Sequence, residues 1–95
     1  MNDDYELMGT AMLIHNIKTN NIKTIRSIEE KPGLYFIEIM LNSSDQRIYR
    51  YGSGRQKERG QYRLFKTFVG MCNFYKERGI KKIEVHFLTE PIGDK

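Results

Sequence analysis

One stretch in the second half of this chain, residues 61–78, constrains the fold more than any other. Its apolar residues recur with the 3.6-residue period of an α-helix; they are Leu64, Phe65, Phe68, Met71, Cys72 and Tyr75. Gly79 follows the last of them, and Lys76 and Arg78 stand in what would be the last turn, which indicates a helix C-terminus. The pattern predicts one long amphipathic helix whose apolar face, with Phe68 at its middle, packs on the rest of the chain.

The surrounding segments are typical of β-strands. Residues 34–41 are apolar on both faces of an alternating pattern, which predicts a central strand. Residues 22–29 have an isoleucine at every third position, so we expect a β-bulge or a strong twist in that strand. Residues 47–51 and 82–88 alternate more simply. Residues 11–18 fit either a strand or a helix, and the short turn that follows them favours a strand.

These elements predict a single two-layer α+β domain that occupies residues 1–95. The expected element order is β-β-β-β-α-β, with an antiparallel sheet of four to five strands and the one long amphipathic helix packed on one face. The length suits one domain, because independent domains average roughly 100–150 residues. Residues 1–7 are polar, and we expect them to be disordered.

Signals that would direct the chain out of the cytoplasm are not found in the sequence. The N-terminus is acidic where a secretory signal would be basic, and no apolar run approaches the roughly 18 residues of a transmembrane span. The single cysteine, Cys72, cannot form an internal disulfide. We therefore expect a cytoplasmic protein that does not bind membranes.

Residues suited to catalysis or cofactor binding are scarce. His15 and His86 are the only histidines, and each lies in an apolar run, where a structural role is more common than a catalytic one. Cys72 has no histidine within one helical turn to activate it. No His/Cys pair has metal-ligand spacing, and the glycine-rich residues 52–60 lack the GK[ST] ending of a P-loop. We expect no enzymatic activity, no catalytic residues, no metal and no cofactor.

Positive charge is concentrated in one region of the chain. The whole chain has a net charge of +4, yet residues 46–66 contain seven cations against one carboxylate. Such clustering indicates an anionic partner. Arg59, Arg63 and Lys66 would also lie near the start of the long helix. The helix dipole there disfavours each cation by about 0.3–1 kcal/mol and would favour an anion.

The expected contact residues all come from this basic region. Its cations would bind phosphates, and the two tyrosines of residues 47–51 would offer rings on which bases stack. Residues 52–60, with three glycines, are expected to form a loop rather than the first turns of the helix. The expected nucleic-acid-binding residues are Arg47, Tyr49, Arg50, Tyr51, Arg55, Lys57, Arg59, Arg63 and Lys66.

Part of this region resembles a known family. A strand pair followed by YGSGRQKERGQYRLFKTF and an amphipathic helix is similar to the latter half of a double-stranded RNA-binding domain. The resemblance implies that Lys57, Arg59 and Arg63 contact phosphates across the RNA major groove. The chain departs from that family at Glu58, where the family has a second lysine, and at Phe65 and Phe68, where the family's helix has a face of small residues. A strand also follows the helix here, where the family ends. Three strands plus a helix also resemble the arm-binding domain of some phage-type integrases, which reads DNA with its sheet.

Two functions fit these features. The first is a small non-catalytic nucleic-acid-binding domain that uses the basic loop and the helix N-terminus on phosphates. The second is a small protein–protein adaptor or inhibitor, of phage or mobile-element origin, that binds an acidic partner surface. Aromatic and arginine residues are as common in protein interfaces as in nucleic-acid grooves. The residue types suit DNA and RNA, single-stranded or double-stranded, equally.

Overall fold

A computed structural model describes residues 5–43 and 46–88 of the 95-residue chain. Within these residues, five strands and three helices follow one another. They are β1 (Glu6–Met8), α1 (Thr10–Lys18), β2 (Ile22–Lys31), β3 (Leu34–Leu41), β4 (Ile48–Tyr51), α2 (Gly54–Glu58), α3 (Phe68–Glu77) and β5 (Glu84–His86).

The five strands form one mixed sheet in the spatial order β1-β4-β3-β2-β5. The three central strands pair antiparallel, as the sequence predicts. The two edge strands pair parallel to their neighbours, β1 with β4 and β5 with β2. The single α+β domain is confirmed. The antiparallel sheet expected from the sequence is matched only in the central strands, because each edge strand is joined to them through a helix rather than a hairpin.

The β2–β3 hairpin is the longest paired region of the sheet. Its register sets Ser27 opposite Ile37, and register shifts near both ends confirm the irregularity expected in β2. The connecting turn places Gly33 at φ 78°, a conformation that favours glycine, and the Gly33 N–H donates to the Glu29 carboxylate at 2.8 Å. β3 has the predicted bounds and is buried on both faces, which confirms a central strand.

Helices α1 and α3 pack on the same face of the sheet. The hydroxyls of Tyr75 on α3 and Ser27 on β2 share a hydrogen bond of 2.7 Å, and those of Tyr51 on β4 and Thr10 on α1 share one of 2.8 Å. The Tyr51 ring also lies 4.9 Å from that of Phe74 on α3. The core between the sheet and the helices consists of Met8, Leu13, Tyr35, Ile37, Ile39, Leu41, Tyr49, Tyr51, Phe65, Met71, Phe74 and Tyr75.

The helix predicted over residues 61–78 begins later than expected. α3 starts at Phe68, after Thr67, whose Oγ1 accepts the N–H of Gly70 at 3.0 Å. This cap satisfies one of the N–H groups that lack a partner in the first turn of a helix. Phe68, expected at the middle of the buried face, is instead 45% exposed. The prediction of one long helix is therefore matched only in part, over Phe68–Glu77, and the residues that α3 buries are Met71, Phe74 and Tyr75.

The missing part of the predicted helix is non-helical chain that pairs with β3 at one residue. Phe65 exchanges two backbone hydrogen bonds with Tyr35 of β3, at 2.7 and 3.0 Å. This isolated bridge brings the Phe65 ring into the core, 5.2 Å from the ring of Phe74. Phe65, which the sequence placed on the apolar face of the helix, is therefore buried because it pairs with the sheet and not because it lies on a helix.

The N-terminal segment also differs from expectation. Residues 11–18, interpreted as a strand, belong to helix α1, whose buried residues Leu13 and Asn16 have the three-residue spacing of one helix face. Glu6–Met8 forms strand β1 beside β4, so the disorder expected in residues 1–7 does not hold for Glu6 and Leu7. Residues 1–4 lie outside the described residues.

Candidate nucleic-acid interface

The two tyrosines expected to stack on bases face the interior. Tyr49 and Tyr51 are 6% and 2% exposed. Both alternate onto the face of β4 that α1 and α3 cover, and the Tyr51 hydroxyl and ring are further held by Thr10 and Phe74. Neither ring can receive a base, so their burial contradicts the stacking role expected for them.

Arg50 lies on the other face of the sheet, inside an aromatic cluster. Its guanidinium carbon is 4.2 Å from the ring centroids of Tyr5 and Phe36 and 4.8 Å from that of Tyr62. The Tyr62 hydroxyl donates a hydrogen bond to Glu30, and burial together with that bond raises the pKa of Tyr62 to about 12. The chain itself holds the Arg50 guanidinium, so this residue fits a structural role and not the phosphate contact expected of it.

Arg47 is accessible but already has a partner. Its Nη1 lies 3.3 Å from Oε2 of Glu6, and both side chains are more than half exposed. An exposed ion pair contributes only about 0–1 kcal/mol, so Arg47 can exchange Glu6 for a phosphate at small cost. Arg47 precedes β4, however, whereas the remaining expected cations all follow it.

The other five expected cations lie along one stretch of chain, residues 54–66, which we name the cationic segment. All five are exposed; they are Arg55, Lys57, Arg59, Arg63 and Lys66. Within the described parts of the chain, none of these five side chains forms an ion pair. Glu58 is the one carboxylate in the segment, which therefore presents a net charge of +4 to solvent.

The first half of the cationic segment contains the short helix α2, where a loop was expected. Ser53 and Gln56 form a reciprocal capping box: the Ser53 N–H donates to Gln56 Oε1 at 2.9 Å, and the Gln56 N–H donates to Ser53 Oγ at 3.4 Å. Gly52 lies against the returning chain, since a Cβ there would be 2.6 Å from the carbonyl oxygen of Gln61. The cap and this close approach fix the position of the α2 cations.

The second half of the cationic segment is anchored to the sheet. The Arg63 N–H donates to the carbonyl oxygen of Tyr51 at 2.9 Å, and Phe65 then pairs with Tyr35. The Arg63 guanidinium lies 4.2 Å from the centroid of the Phe65 ring, so the side chain is held on the surface while its charge stays exposed. Lys66 directly precedes the N-cap of α3.

The first turn of α3 does not carry the cations expected there. Arg59 ends α2, and Arg63 lies in non-helical chain before α3, so the unfavourable interaction with the α3 dipole predicted for these two does not arise. Of the three cations expected there, only Lys66 remains next to the start of α3, since it directly precedes the N-cap. This placement also removes the correspondence with the double-stranded RNA-binding domain, in which basic residues project from the first turn of the helix. The charge is instead presented by α2 and by the chain that returns from it.

An exposed apolar surface follows the cationic segment and was not predicted from the sequence. It comprises Phe68, Val69, Phe87 and Leu88, which are 45%, 69%, 56% and 49% exposed, and we name it the apolar patch. The rings of Phe68 and Phe87 contact that of Tyr35 edge to face, with centroids 5.9 and 6.4 Å away. The sequence signal that could have revealed it is Thr67, a candidate N-cap that places Phe68 in a first turn.

The described residues show no other arrangement with an obvious chemistry. Among residues 5–43 and 46–88, no group of three or more His, Cys, Asp or Glu side chains is placed to hold a metal ion. Cys72 is partly buried against the core, and His86 is exposed beside Glu84, 3.4 Å away. In the same residues, no helix is long and apolar enough to cross a membrane.

Comparison with known proteins adds no family to these observations. Protein-family models, curated proteins and solved structures give no match to the chain. The function is therefore inferred from the exposed charge and the exposed apolar surface of this chain.

Proposed function

We propose that this protein is a small non-catalytic nucleic-acid-binding domain whose cationic segment contacts phosphates. The observation that carries the proposal is the set of five exposed cations within residues 54–66, none of them ion-paired within the described chain. Holding like charges together on one folded segment costs electrostatic repulsion. A polyanion such as DNA or RNA relieves that repulsion along the whole segment.

Phosphate contacts of this kind do not depend on base sequence. Each cation that neutralises a phosphate releases condensed counterions, so log K falls with log[salt] by about 0.9 per contact on duplex DNA and about 0.7 on a single strand. Five contacts on a duplex would give a slope of about −4.5. Raising the salt concentration from about 50 to about 200 mM would then weaken binding roughly 500-fold.

The test is salt-dependent binding of the full chain to labelled DNA and RNA, each single-stranded and duplex, followed by fluorescence anisotropy. One variant removes the α2 cations, by Arg55→Gln, Lys57→Gln and Arg59→Gln. A matched control removes equal charge from exposed positions elsewhere, by Lys18→Gln, Lys23→Gln and Lys76→Gln. We expect the first variant to flatten the slope on duplex DNA by about 2.7 and the control to keep a slope near that of the parent.

Both variants should retain the fold, because substitutions at exposed positions usually change stability by less than about 0.5 kcal/mol. The melting temperature therefore separates a loss of binding from a loss of structure. Equal salt slopes for the parent and the α2 variant would rule the proposal out. So would a parent that binds none of the four nucleic acids at low salt.

A second candidate function is binding to an acidic protein surface, as an adaptor or inhibitor. The apolar patch favours it, because exposed aromatic and aliphatic side chains beside cations are typical of protein interfaces. This function becomes the leading one if the parent binds no nucleic acid, since the cations and the patch would then require a partner that is both acidic and apolar.

A further inference from the structure

We infer that the apolar patch is a stacking surface for bases and that the nucleic acid bound is therefore single-stranded. This inference rests on the proposed function and narrows the partner from nucleic acid in general to a single strand. Its starting point is continuity along the chain, because Lys66 ends the cationic segment and Phe68 begins the apolar patch two residues later.

The two exposed rings of the patch are supported by a third ring that is buried. Tyr35 is 6% exposed, and the rings of Phe68 and Phe87 meet it at interplanar angles of 65° and 79°. Each of these rings is thus in contact with Tyr35 while about half of its surface remains open. Because each ring already packs against Tyr35, a base that stacks on it costs little additional side-chain freedom.

The same buried tyrosine connects the rings to the cations. Phe65, in the cationic segment, is joined to the Tyr35 backbone by its two hydrogen bonds. A strand whose phosphates follow the segment can therefore continue past Lys66 with its bases over Phe68 and Phe87. A succession of cations and open aromatic rings is the arrangement with which proteins bind single strands without sequence preference.

A carboxylate lies near the patch, and its oxygens are already engaged. Glu29 is the cross-strand partner of Tyr35. Its Oε2 accepts the N–H of Gly33 at 2.8 Å, and its Oε1 accepts the N–H of Leu88 at 2.9 Å. The second bond ties the residue that follows Phe87 to the sheet. Glu29 thus positions the patch, and its carboxylate is stabilised by the two N–H donors.

The rings distinguish a single strand from a duplex. Stacking needs a free base face, and in a duplex each base is already stacked between its neighbours, whereas the bases of a single strand can be splayed onto a protein ring. A duplex can engage the cationic segment alone. On a single strand, each stacked base should add about 5- to 150-fold in affinity.

The experiment measures binding of the full chain at one low salt concentration to a labelled oligothymidylate of about 12 nucleotides and to a duplex of equal length. The variants are Phe68→Ala and Phe87→Ala. Met12→Ala is the matched control, since Met12 on α1 is an exposed apolar residue, 37% exposed, that lies outside the patch and has no ring. We expect each phenylalanine variant to lose about 5- to 150-fold on the single strand only, and the control to bind as the parent does.

The possible failures have different meanings. If the phenylalanine variants bind the single strand as the parent does while the α2 variant still flattens the salt slope, stacking is refuted and phosphate binding stands. Equal losses on the duplex, or an equal loss for Met12→Ala, also refute stacking. A parent dimer in sedimentation that Phe87→Ala dissociates would make the patch an interface between copies. Failure of the parent to bind either probe would overturn the proposed function itself.

Discussion

Replacing Phe74 by alanine should destabilise the protein far more than the same replacement of Phe68 in the same helix. Phe74 is 4% exposed, and its ring lies 4.9 Å from that of Tyr51 and 5.2 Å from that of Phe65. The Arg78 guanidinium also lies 3.7 Å from the ring centroid of Phe74. Phe68 is 45% exposed and contacts the Tyr35 ring on one side.

The magnitudes follow from these surroundings. A buried Phe→Ala substitution costs about 3–5 kcal/mol, because the transfer energy is lost and a cavity remains among the neighbouring rings. At Phe68 only about half of a transfer energy of roughly 1.5–3 kcal/mol is at stake, and water fills the space, so the cost should be about 1 kcal/mol. Both positions lie in α3, so the gain in helix propensity from alanine largely cancels between them.

Urea denaturation of the two variants and the parent measures the difference directly. We expect the free energy of unfolding to fall by about 1 kcal/mol for Phe68→Ala and by about 3–5 kcal/mol for Phe74→Ala. If Phe74→Ala is unfolded in water, Phe74→Leu keeps the comparison measurable because it leaves a smaller cavity. Equal losses at the two positions would contradict the packing described above. A larger loss at Phe68 than at Phe74 would mean that α3 faces the sheet with the stripe suggested by its sequence.

The start of α3 and two tyrosines give two further predictions. Thr67→Ala should lower the free energy of unfolding by about 1 kcal/mol while Thr67→Ser does not, because the Oγ1 cap is lost only in the first; a gain in stability would place residue 67 inside a helix. Burial raises the pKa of Tyr75 to about 12, and burial with the Glu30 bond raises the pKa of Tyr62 to about 12. The folded state therefore favours the neutral hydroxyls of both tyrosines. Their contribution to the free energy of unfolding is fully present below the unfolded pKa of about 10 and is lost as the pH rises from about 10 to about 12. The melting temperature of the parent should fall across that pH range, and that of Tyr62→Phe should fall less steeply. An equally steep fall in the melting temperature of the variant would contradict the effect of burial at Tyr62.

The parts of the fold that depend on local pattern could be predicted from the sequence. Strand β3 was identifiable because residues 34–41 are apolar on both faces, and the bulges of β2 because its isoleucines depart from alternation. The edge strands have three residues each, too few to establish a period, and their parallel pairing with distant strands is decided by tertiary structure. The start of α3 was missed because Leu64 and Phe65 continue its helical spacing although Phe65 pairs with β3.

The candidate site divides in the same way. The five cations of the cationic segment could be identified because they are close in sequence and long charged side chains are seldom buried. The burial of Tyr49 and Tyr51 could not. Alternation in β4 places the two rings on one face of the strand and Ile48 and Arg50 on the other, but which face becomes buried depends on where the helices pack. The apolar patch depends on the capped start of α3 and on the end of β5, neither of which has a strong periodic signal.

The parallel edge strands have a consequence for the order in which the protein opens and closes. The β2–β3–β4 meander needs only local loop closure, whereas β1 and β5 must each find a strand far away in the chain, so they should form last and open first. Phe87 directly follows β5, while Phe68 belongs to the capped helix α3. Local opening of β5 would therefore carry one ring away and leave the other in place. A ligand stacked on both rings would join this weakly held edge to the rest of the molecule and protect its amides from hydrogen exchange.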